Sequence, residues 1–220
     1  MLTEACVRAM ETGEDERPTR GSLRLFESGV MEALFRSPPW LPFAYVTPMV
    51  GALLERGAAR APAVMLAGAL LWAALEYAMH RWLFHVAGTK PVTVGYRFLV
   101  HGHHHARPWD GDRLVATPWQ FASAAAVLYG AAQLFGEAWD AAFAGSLLAY
   151  LAYEAVHYAI HHGRGGPGWL RAVRAHHLRH HHGPEGARSR FGISSPLFDW
   201  LLGTRGRPGA AETHTPAPRT

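Results

Sequence analysis

Cysteine is almost absent from this chain of 220 residues, because Cys6 is its only thiol. A single cysteine excludes an internal disulfide and a zinc site built from several cysteines. Any metal chemistry must therefore use nitrogen or oxygen ligands. Charge is scarce as well, since Asp, Glu, Lys and Arg make up 17% of the chain against 49% for hydrophobic residues. This balance is unusual for a soluble domain.

Two sequence patterns are also missing. Residues 1–37 are charged and contain no apolar core of the length that a secretory signal peptide needs. No RNP-like or zinc-finger pattern accompanies the net charge of +4 and the pI of about 9.6. We therefore interpret the basic character as a sign of proximity to a membrane and not of nucleic-acid binding.

Long apolar segments occupy the middle of the chain. They cover residues 39–54, 62–84, 117–135 and 138–160. Their lengths and their small residues predict an all-α integral membrane bundle of about four transmembrane helices. The first segment is short for a span and contains Pro42 and Pro48, so whether it crosses fully stays open. A soluble all-α bundle with buried apolar helices is the alternative.

The domain boundaries follow the same pattern. Residues 1–37 are expected to form a tail, mobile over 1–21, with a short helix over 22–35 that lies on the membrane surface or packs on the protein. Residues 38–203 are expected to form the membrane domain, with a histidine-rich cap. The Pro- and Thr-rich residues 204–220 are expected to form a disordered tail.

Four spans would return both termini and all histidine clusters to one side of the membrane. The opposite side would carry only Arg56 and Arg60, so the positive-inside rule makes the histidine side cytoplasmic. The high content of Ala, Arg and Gly indicates a bacterial source. The predicted location is therefore a multi-pass protein of a bacterial inner membrane.

Histidine is the residue that this sequence has in excess. Fourteen of its fifteen histidines lie between His80 and His182, in the runs HRWLFH, HGHHH, HYAIHH and HHLRHHH. Neutral imidazole is a good ligand for Fe, Zn, Cu or Ni. Spacings of three and four residues share a helix face, and they select ten candidate metal ligands, which are His80, His85, His101, His104, His105, His157, His161, His177, His180 and His181.

Ten imidazoles exceed what one metal can hold, so two metals with about five ligands each are predicted. His80 and His85 are the exception to the spacing rule, because residues five apart point some 140° away from each other on an ideal helix. They either bridge two metals or the helix distorts at its end. The remaining histidines of the clusters, which are His103, His162, His176 and His182, fall off the selected faces.

Carboxylates near the clusters are candidates for orienting the ligands. Glu76 lies one turn before His80, Glu154 lies three residues before His157, and Asp110 follows HGHHH. Each is placed to accept a hydrogen bond from the free N–H of a ligand histidine. For Asp110 the alternative is a structural role in helix capping or in a salt bridge with Arg113.

The order of the motifs HRWLFH, HGHHH, PWDGDRLVATP, YEAVHYAIHH, HHLRHH and FGISSPLFDWLLGT resembles the fatty acid hydroxylase/sterol desaturase superfamily, most nearly its fatty acid 2-hydroxylase branch. The resemblance covers roughly residues 70–204. It implies a non-haem enzyme with two irons, held by the ten histidines named above, on the cytosolic face of four membrane helices. Tyr153 and Glu154 stand where that branch has tyrosine and aspartate, so both are candidate catalytic or substrate-positioning residues.

The resemblance also implies the reaction. Dioxygen is the co-substrate, and the expected product is a lipid hydroxylated on its acyl chain, at carbon 2. The sequence has no HPGG haem motif, so the electrons are expected from a separate carrier of the ferredoxin or cytochrome b5 type. Zinc is expected to replace iron on purification, since nitrogen sites bind it more tightly than Fe(II).

Other functions remain open at this point. A sterol or carotenoid hydroxylase or desaturase would use the same clusters. A membrane zinc hydrolase is disfavoured, because such enzymes keep three protein ligands per zinc. A metal transporter or sensor is disfavoured, because the middle of each predicted span is almost entirely apolar.

Overall fold

The computed structural model describes residues 1–12, 22–183 and 185–206. These residues form helices and, apart from one bridge between Leu2 and Phe26, no β-structure. The predicted all-α class is therefore confirmed. The helices are α1 (Glu4–Thr12), α2 (Gly29–Leu34), α3 (Leu41–Glu55), α4 (Pro62–Ala78), α5 (Pro91–Arg97), α6 (His103–Ala106), α7 (Pro118–Ala132), α8 (Trp139–His162), α9 (Gly168–His182) and α10 (Leu197–Leu201).

The four long apolar helices α3, α4, α7 and α8 form the main core, and α8 lies against the other three. Small residues bring α4 and α8 into close contact. A methyl group added to Gly68 would lie 1.8 Å from the Ala142 carbonyl oxygen, and one added to Gly145 would lie 1.9 Å from that of Met65. The Ser146 hydroxyl donates to the Gly68 carbonyl at 2.8 Å. Small residues at a helix contact allow this approach of two backbones.

Two helices end in π-turns. Helix α4 continues as a π-helix over Met79–Phe84, and α5 continues as a π-helix over Phe98–Gly102 before α6 begins. A π-turn closes an i→i+5 hydrogen bond and is often found at functional sites. In this chain both π-turns contain members of the histidine clusters.

The two tight turns of the bundle lie at the same end. Gly57, with φ of 105°, lies in the turn between α3 and α4. Gly136, with φ of 58°, lies in the turn between α7 and α8. The guanidinium of Arg56 lies over the ring of Trp139, 5.3 Å from its centroid. The histidine clusters all lie at the other end of these helices.

One helix in the described part of the chain, Pro62–Phe84, is long and apolar enough to cross a membrane, and Leu41–Glu55 is a shorter apolar helix. Only 22% of the most apolar window of Pro62–Phe84 is buried inside the molecule. This exposure is unlike the buried core helix of a soluble protein. The crossing of all four helices stays a prediction.

The described N-terminal residues are packed against the rest of the molecule. Cys6 is fully buried, in a cluster with Leu25 and Phe98. The helix expected over 22–35 is confined to Gly29–Leu34, because Glu32 accepts hydrogen bonds from the amides of Leu25 and Phe26 and holds the preceding residues extended. Residues 13–21 and 207–220, which include most of the expected C-terminal tail, lie outside the described residues.

Candidate metal centre

The π-turn at the end of α4 brings two predicted ligands to one face. The amide of His85 donates to the carbonyl of His80 at 3.2 Å, which is an i→i+5 bond. The Nε2 atoms of the two rings lie 3.1 Å apart. Of the two alternatives left by the ideal-helix angle, the structure has the distorted helix and not a bridge between two sites.

Five histidines form a first group, with one ring nitrogen from each within 4.8 Å of all the others. Its members are His80, His85, His101, His105 and His180. The Nε2 atoms of His80 and His101 lie 3.0 Å apart, and that of His180 lies 3.0 Å from His85 and 3.2 Å from His105. The group joins the end of α4, the α5–α6 region and α9.

A second group joins α6, α8 and α9. Its members are His104, His157, His161 and His177. His181 lies beside it, with its Nε2 atom 3.0 Å from that of His177 and its ring 4.7 Å from that of His104. The ring of His181 also stacks on that of His105 in the first group, with centroids 4.2 Å apart, so the two groups are in direct contact.

Each HxxHH motif is divided between the groups and does not form one face as the spacing alone predicts. In the motif that begins at His101, the i,i+4 pair contributes to the first group and His104 to the second. In α9, His180 contributes to the first group and His177 to the second. Adjacent residues on a helix point about 100° apart. Both motifs therefore lie between the two groups and have side chains in each.

The nitrogen positions of the first group fit a bound metal. Two nitrogens that are each about 2.1 Å from a metal and at right angles are about 3.0 Å apart, which matches the spacings above. His80 Nδ1 donates to the carbonyl of Phe191 at 2.5 Å, and His180 Nδ1 donates to that of Ser189 at 2.7 Å. Both rings therefore present an Nε2 lone pair to the centre of the group.

The second group fits a metal for a different reason. Both ring nitrogens of His104 and of His157 are buried and have no hydrogen-bond partner among the described residues. An unsatisfied buried polar atom costs about 1–3 kcal/mol. A metal ion is a partner that satisfies such nitrogens without a hydrogen bond.

Protonation would compete with a metal, and burial suppresses it. Burial, together with the neighbouring His180, lowers the pKa of His85 to about 3. Burial likewise lowers the pKa of His180 to about 4, against the raising effect of the Ser189 carbonyl. Both rings are neutral at neutral pH, as a metal ligand must be.

The four histidines that spacing excluded lie outside both groups. His162 stacks on Tyr158 with ring centroids 4.4 Å apart, and His103 Nδ1 lies 3.0 Å from the carbonyl of Phe98. His176 Nε2 lies 3.0 Å from a carboxylate oxygen of Asp199, and the ring of His182 lies beside that of His181.

An apolar cavity of about 290 Å³ reaches both groups, and His80, His101, His104 and His157 line it. Tyr153 lines the cavity next to His157, with ring centroids 5.7 Å apart. Its other walls are mostly apolar, with residues that include Trp72, Leu75, Met79, Leu83, Leu99, Val100, Phe121, Ala124, Val127 and Tyr150. A long apolar molecule in this cavity would have one end at the histidines.

The carboxylates predicted to orient ligand histidines have other partners. Glu76 accepts from the amides of Ile193 and Ser194 at 2.7 and 3.0 Å. Asp110 accepts from Ser22 Oγ at 2.7 Å and from the Leu23 amide, and it lies beside Arg113. The structural alternative for Asp110 therefore describes its contacts. It fastens the N-terminal segment.

Glu154 also has a backbone partner. One of its oxygens accepts from the amide of Ala116 at 2.9 Å, and the carboxylate is fully buried next to Tyr150. Ala116 and Thr117, at the start of α7, line the cavity. Glu154 therefore fixes part of the cavity wall.

Comparison with known proteins agrees with this geometry. A family model described as fatty acid hydroxylase matches residues 65–204. The chain belongs to the fatty acid hydroxylase family. The resemblance seen in the sequence motifs is thereby confirmed, and its 2-hydroxylase branch is confirmed by relatives that are fatty acid 2-hydroxylases.

One similar member of the family is human fatty acid 2-hydroxylase. It is 37% identical to this chain over 151 residues, which cover 65% of this chain and 39% of the human protein. Dihydroceramide fatty acyl 2-hydroxylase FAH2 of Arabidopsis thaliana is 32% identical over 189 residues, or 82% of this chain and 79% of the relative. The chain thus spans about two-fifths of the human relative. Among solved structures, full-length Scs7p, with only its hydroxylase domain visible, superposes with a TM-score of 0.76 at 28% identity, over 96% of this chain and 81% of the other.

Sequence reasoning did not identify the groups that contact the first histidine group and its neighbours from behind. They are the backbone carbonyls of Ser189 and Phe191, together with Asp199, which is fully buried. Burial alone would raise the pKa of Asp199. Hydrogen bonds from His176, Thr204 and two backbone amides outweigh burial and hold this pKa below its ordinary value. A carbonyl acceptor has no residue-type signature, so only the family motif FGISS marked this segment.

Proposed function

We propose that this protein is a membrane hydroxylase with two irons, which inserts one oxygen atom at carbon 2 of the acyl chain of a lipid. The observation that carries the proposal is the pair of buried histidine groups at one end of an apolar cavity. The names of the human and Arabidopsis relatives, a fatty acid 2-hydroxylase and a dihydroceramide fatty acyl 2-hydroxylase, support the same reaction. Residues 38–203 would form the hydroxylase domain.

The two groups, with His181 completing the second, would hold one metal each. A pair of bound irons would supply the activation of dioxygen that protein side chains lack. One oxygen atom enters a C–H bond and the other leaves as water, which takes two electrons and two protons. A separate carrier of the ferredoxin or cytochrome b5 type would deliver the electrons.

The side chains of the cavity would select and orient the substrate. Apolar walls bury an acyl chain and exclude water, and the histidines at the polar end face the carbons next to the head group. Tyr153 would contact the substrate beside His157. Glu154 would act at a distance by holding Ala116 and thus the start of α7.

The charges of the cavity favour an uncharged head group. Arg113 is the one described lining residue with a permanent positive charge, and its guanidinium is paired with Glu32 and Asp110. Among the described lining residues, no unpaired Lys or Arg side chain therefore faces a fatty acid carboxylate. The neutral groups of Thr117, Gln120 and Ser123 suit an amide-linked acyl chain, as in a ceramide.

For the membrane we propose four crossings by α3, α4, α7 and α8, with the histidine groups on the cytoplasmic face of a bacterial inner membrane. The contact of Arg56 with Trp139 supports this by joining the two hairpin turns at one end. Single cysteines placed at Arg60 and Glu137, in a Cys6→Ser background, should both react with a membrane-impermeant maleimide from outside the cell. Labelling of only one would contradict four crossings.

Lipid analysis would test the reaction. Cells that express the protein under heavy dioxygen should gain lipids with one labelled oxygen at carbon 2 of an acyl chain, and cells with His104→Ala should not. Zinc would compete for the purified site, so iron should be supplied during expression. Loss of two hydrogens from a lipid, or oxygen at another position, would contradict the proposal.

A further inference from the structure

The segment from Ser189 to Ser194 forms a backbone platform beside the first histidine group. Its carbonyls at Ser189 and Phe191 accept from His180 and His80. Between these two residues, Arg190 has a φ of 60°, which side chains other than glycine rarely adopt. Such backbone strain persists only where the surroundings enforce it.

Two buried carboxylates hold this platform. Asp199 accepts from the amides of Phe191 and Gly192, both at 2.8 Å, and Glu76 accepts from the next two amides, those of Ile193 and Ser194. Four consecutive backbone N–H groups are thus bound by two side chains. Hydrogen bonds to a charged acceptor are about twice as strong as neutral ones.

The fit around the platform is close. A methyl group added to Gly192 would lie 2.1 Å from the Ser195 carbonyl oxygen and 3.0 Å from an Asp199 oxygen. Asp199 also accepts from Thr204 Oγ1 at 2.6 Å, and the Arg190 amide donates to the Thr204 carbonyl at 2.7 Å. Asp199, Glu76 and Thr204 therefore hold the platform together, and its carbonyls have little freedom to turn away from the histidines.

We propose that Asp199 and Glu76 are positioning residues for the metal of the first group. They act through the platform, whose carbonyls hold the Nε2 lone pairs of His80 and His180 toward that metal. Asp199 also accepts from His176 Nε2 on α9 at 3.0 Å, whereas the partners of Glu76 all belong to the platform, so Glu76 carries the more selective test. In the second group, the Nδ1 atoms of His104, His157 and His177 have no hydrogen-bond partner among the described residues, so that group has no equivalent support. The inference rests on the proposed two-metal centre, but it does not depend on the substrate.

Metal release would test this proposal. The purified full-length protein, loaded with zinc in detergent, is mixed with excess EDTA, and metal per chain is followed with time. In Asp199→Asn one of the two metals should leave about 10–100-fold faster than in the wild type, if the usual loss of metal affinity on removing a group that orients a ligand is expressed in the release rate. The other metal should keep its wild-type rate. Glu76→Gln should accelerate the same metal by a smaller factor, because one oxygen of Glu76 accepts from both amides and Gln retains an oxygen, whereas the two amides bind different oxygens of Asp199.

Asp110→Asn is the matched control. Asp110 is also a buried carboxylate that accepts from a backbone amide and a hydroxyl, but its partners belong to the N-terminal segment. Its metal release should be unchanged. Equal acceleration of both metals in Asp199→Asn and Glu76→Gln, or release no faster than in Asp110→Asn, would overturn the proposal. If Asp199→Asn fails to fold, Glu76→Gln decides by the same criterion. A wild type that binds fewer than two metals would instead contradict the proposed function.

Discussion

The two histidine groups are built by different means. The second takes His157 and His161 from a regular α-helix and His177 from another, at ordinary helical spacing. The first takes His80 and His101 from π-turns, and two of its rings are oriented by backbone carbonyls. One site therefore depends on regular geometry and the other on distortions that its neighbours hold in place. The two should respond differently to mutation.

The largest effect is expected from removing a member of the second group. His157→Ala deletes a buried ring whose two nitrogens have no other partner, so the second metal and all hydroxylated lipid should be lost. His162→Ala is the control on the same helix, since that ring stacks on Tyr158 outside both groups. Lipid analysis and metal content of the two variants would check this. Hydroxylation by His157→Ala would contradict the assignment of this group.

The π-turn gives a second, more selective prediction. One alanine inserted after Leu83 places His80 and His85 six residues apart, which removes the i→i+5 bond of the π-turn and leaves the two rings about 120° apart on an ideal helix, so the first metal should be lost and the second kept. Deletion of Leu83 leaves a spacing of four, which an ordinary α-helix puts on one face. That variant should bind two metals. The expected content is one metal per chain for the insertion and two for the deletion, and the reverse order would contradict the role of the π-turn.

The same contrast explains what could be predicted from the sequence. Periodicity gave the four apolar helices and selected the histidines that the fold brings together, because both depend on regular helical spacing. It did not give the π-turns, since one additional residue in a turn has no compositional signature. It also missed the attachment of the N-terminal segment, where Ser22 reaches Asp110 across 88 residues of sequence. Contacts of that range depend on tertiary packing and not on local pattern.

The distance between the two histidine groups depends on the close contact of α4 and α8. A mutation at that contact is expected to have a smaller effect, on the stability of the protein. Gly68→Ala places a methyl group against the Ala142 backbone, which should destabilise the protein by about 1–3 kcal/mol. Gly51→Ala in α3 is the control, because nothing lies within 4 Å of the added methyl group. It should be neutral or slightly stabilising, as alanine favours helix over glycine. Thermal unfolding in detergent would measure both, and equal stability of the two variants would contradict the close contact of α4 and α8.

The smallest effect is expected from weakening the platform by a single hydrogen bond. Ser194→Ala removes the hydroxyl that donates to Glu76, while the amides of Ile193 and Ser194 still bind that carboxylate. One hydrogen bond of this kind contributes about 0.5–1.5 kcal/mol. Release of the first metal to EDTA should therefore accelerate only a few-fold, and release of the second should not change. Ser123→Ala removes a hydroxyl whose one hydrogen bond among the described residues is to the Trp119 carbonyl, and it should leave both rates unaltered. Since Glu76 holds the platform from one side and Asp199 from the other, a change in both rates would mean that the two groups share their support.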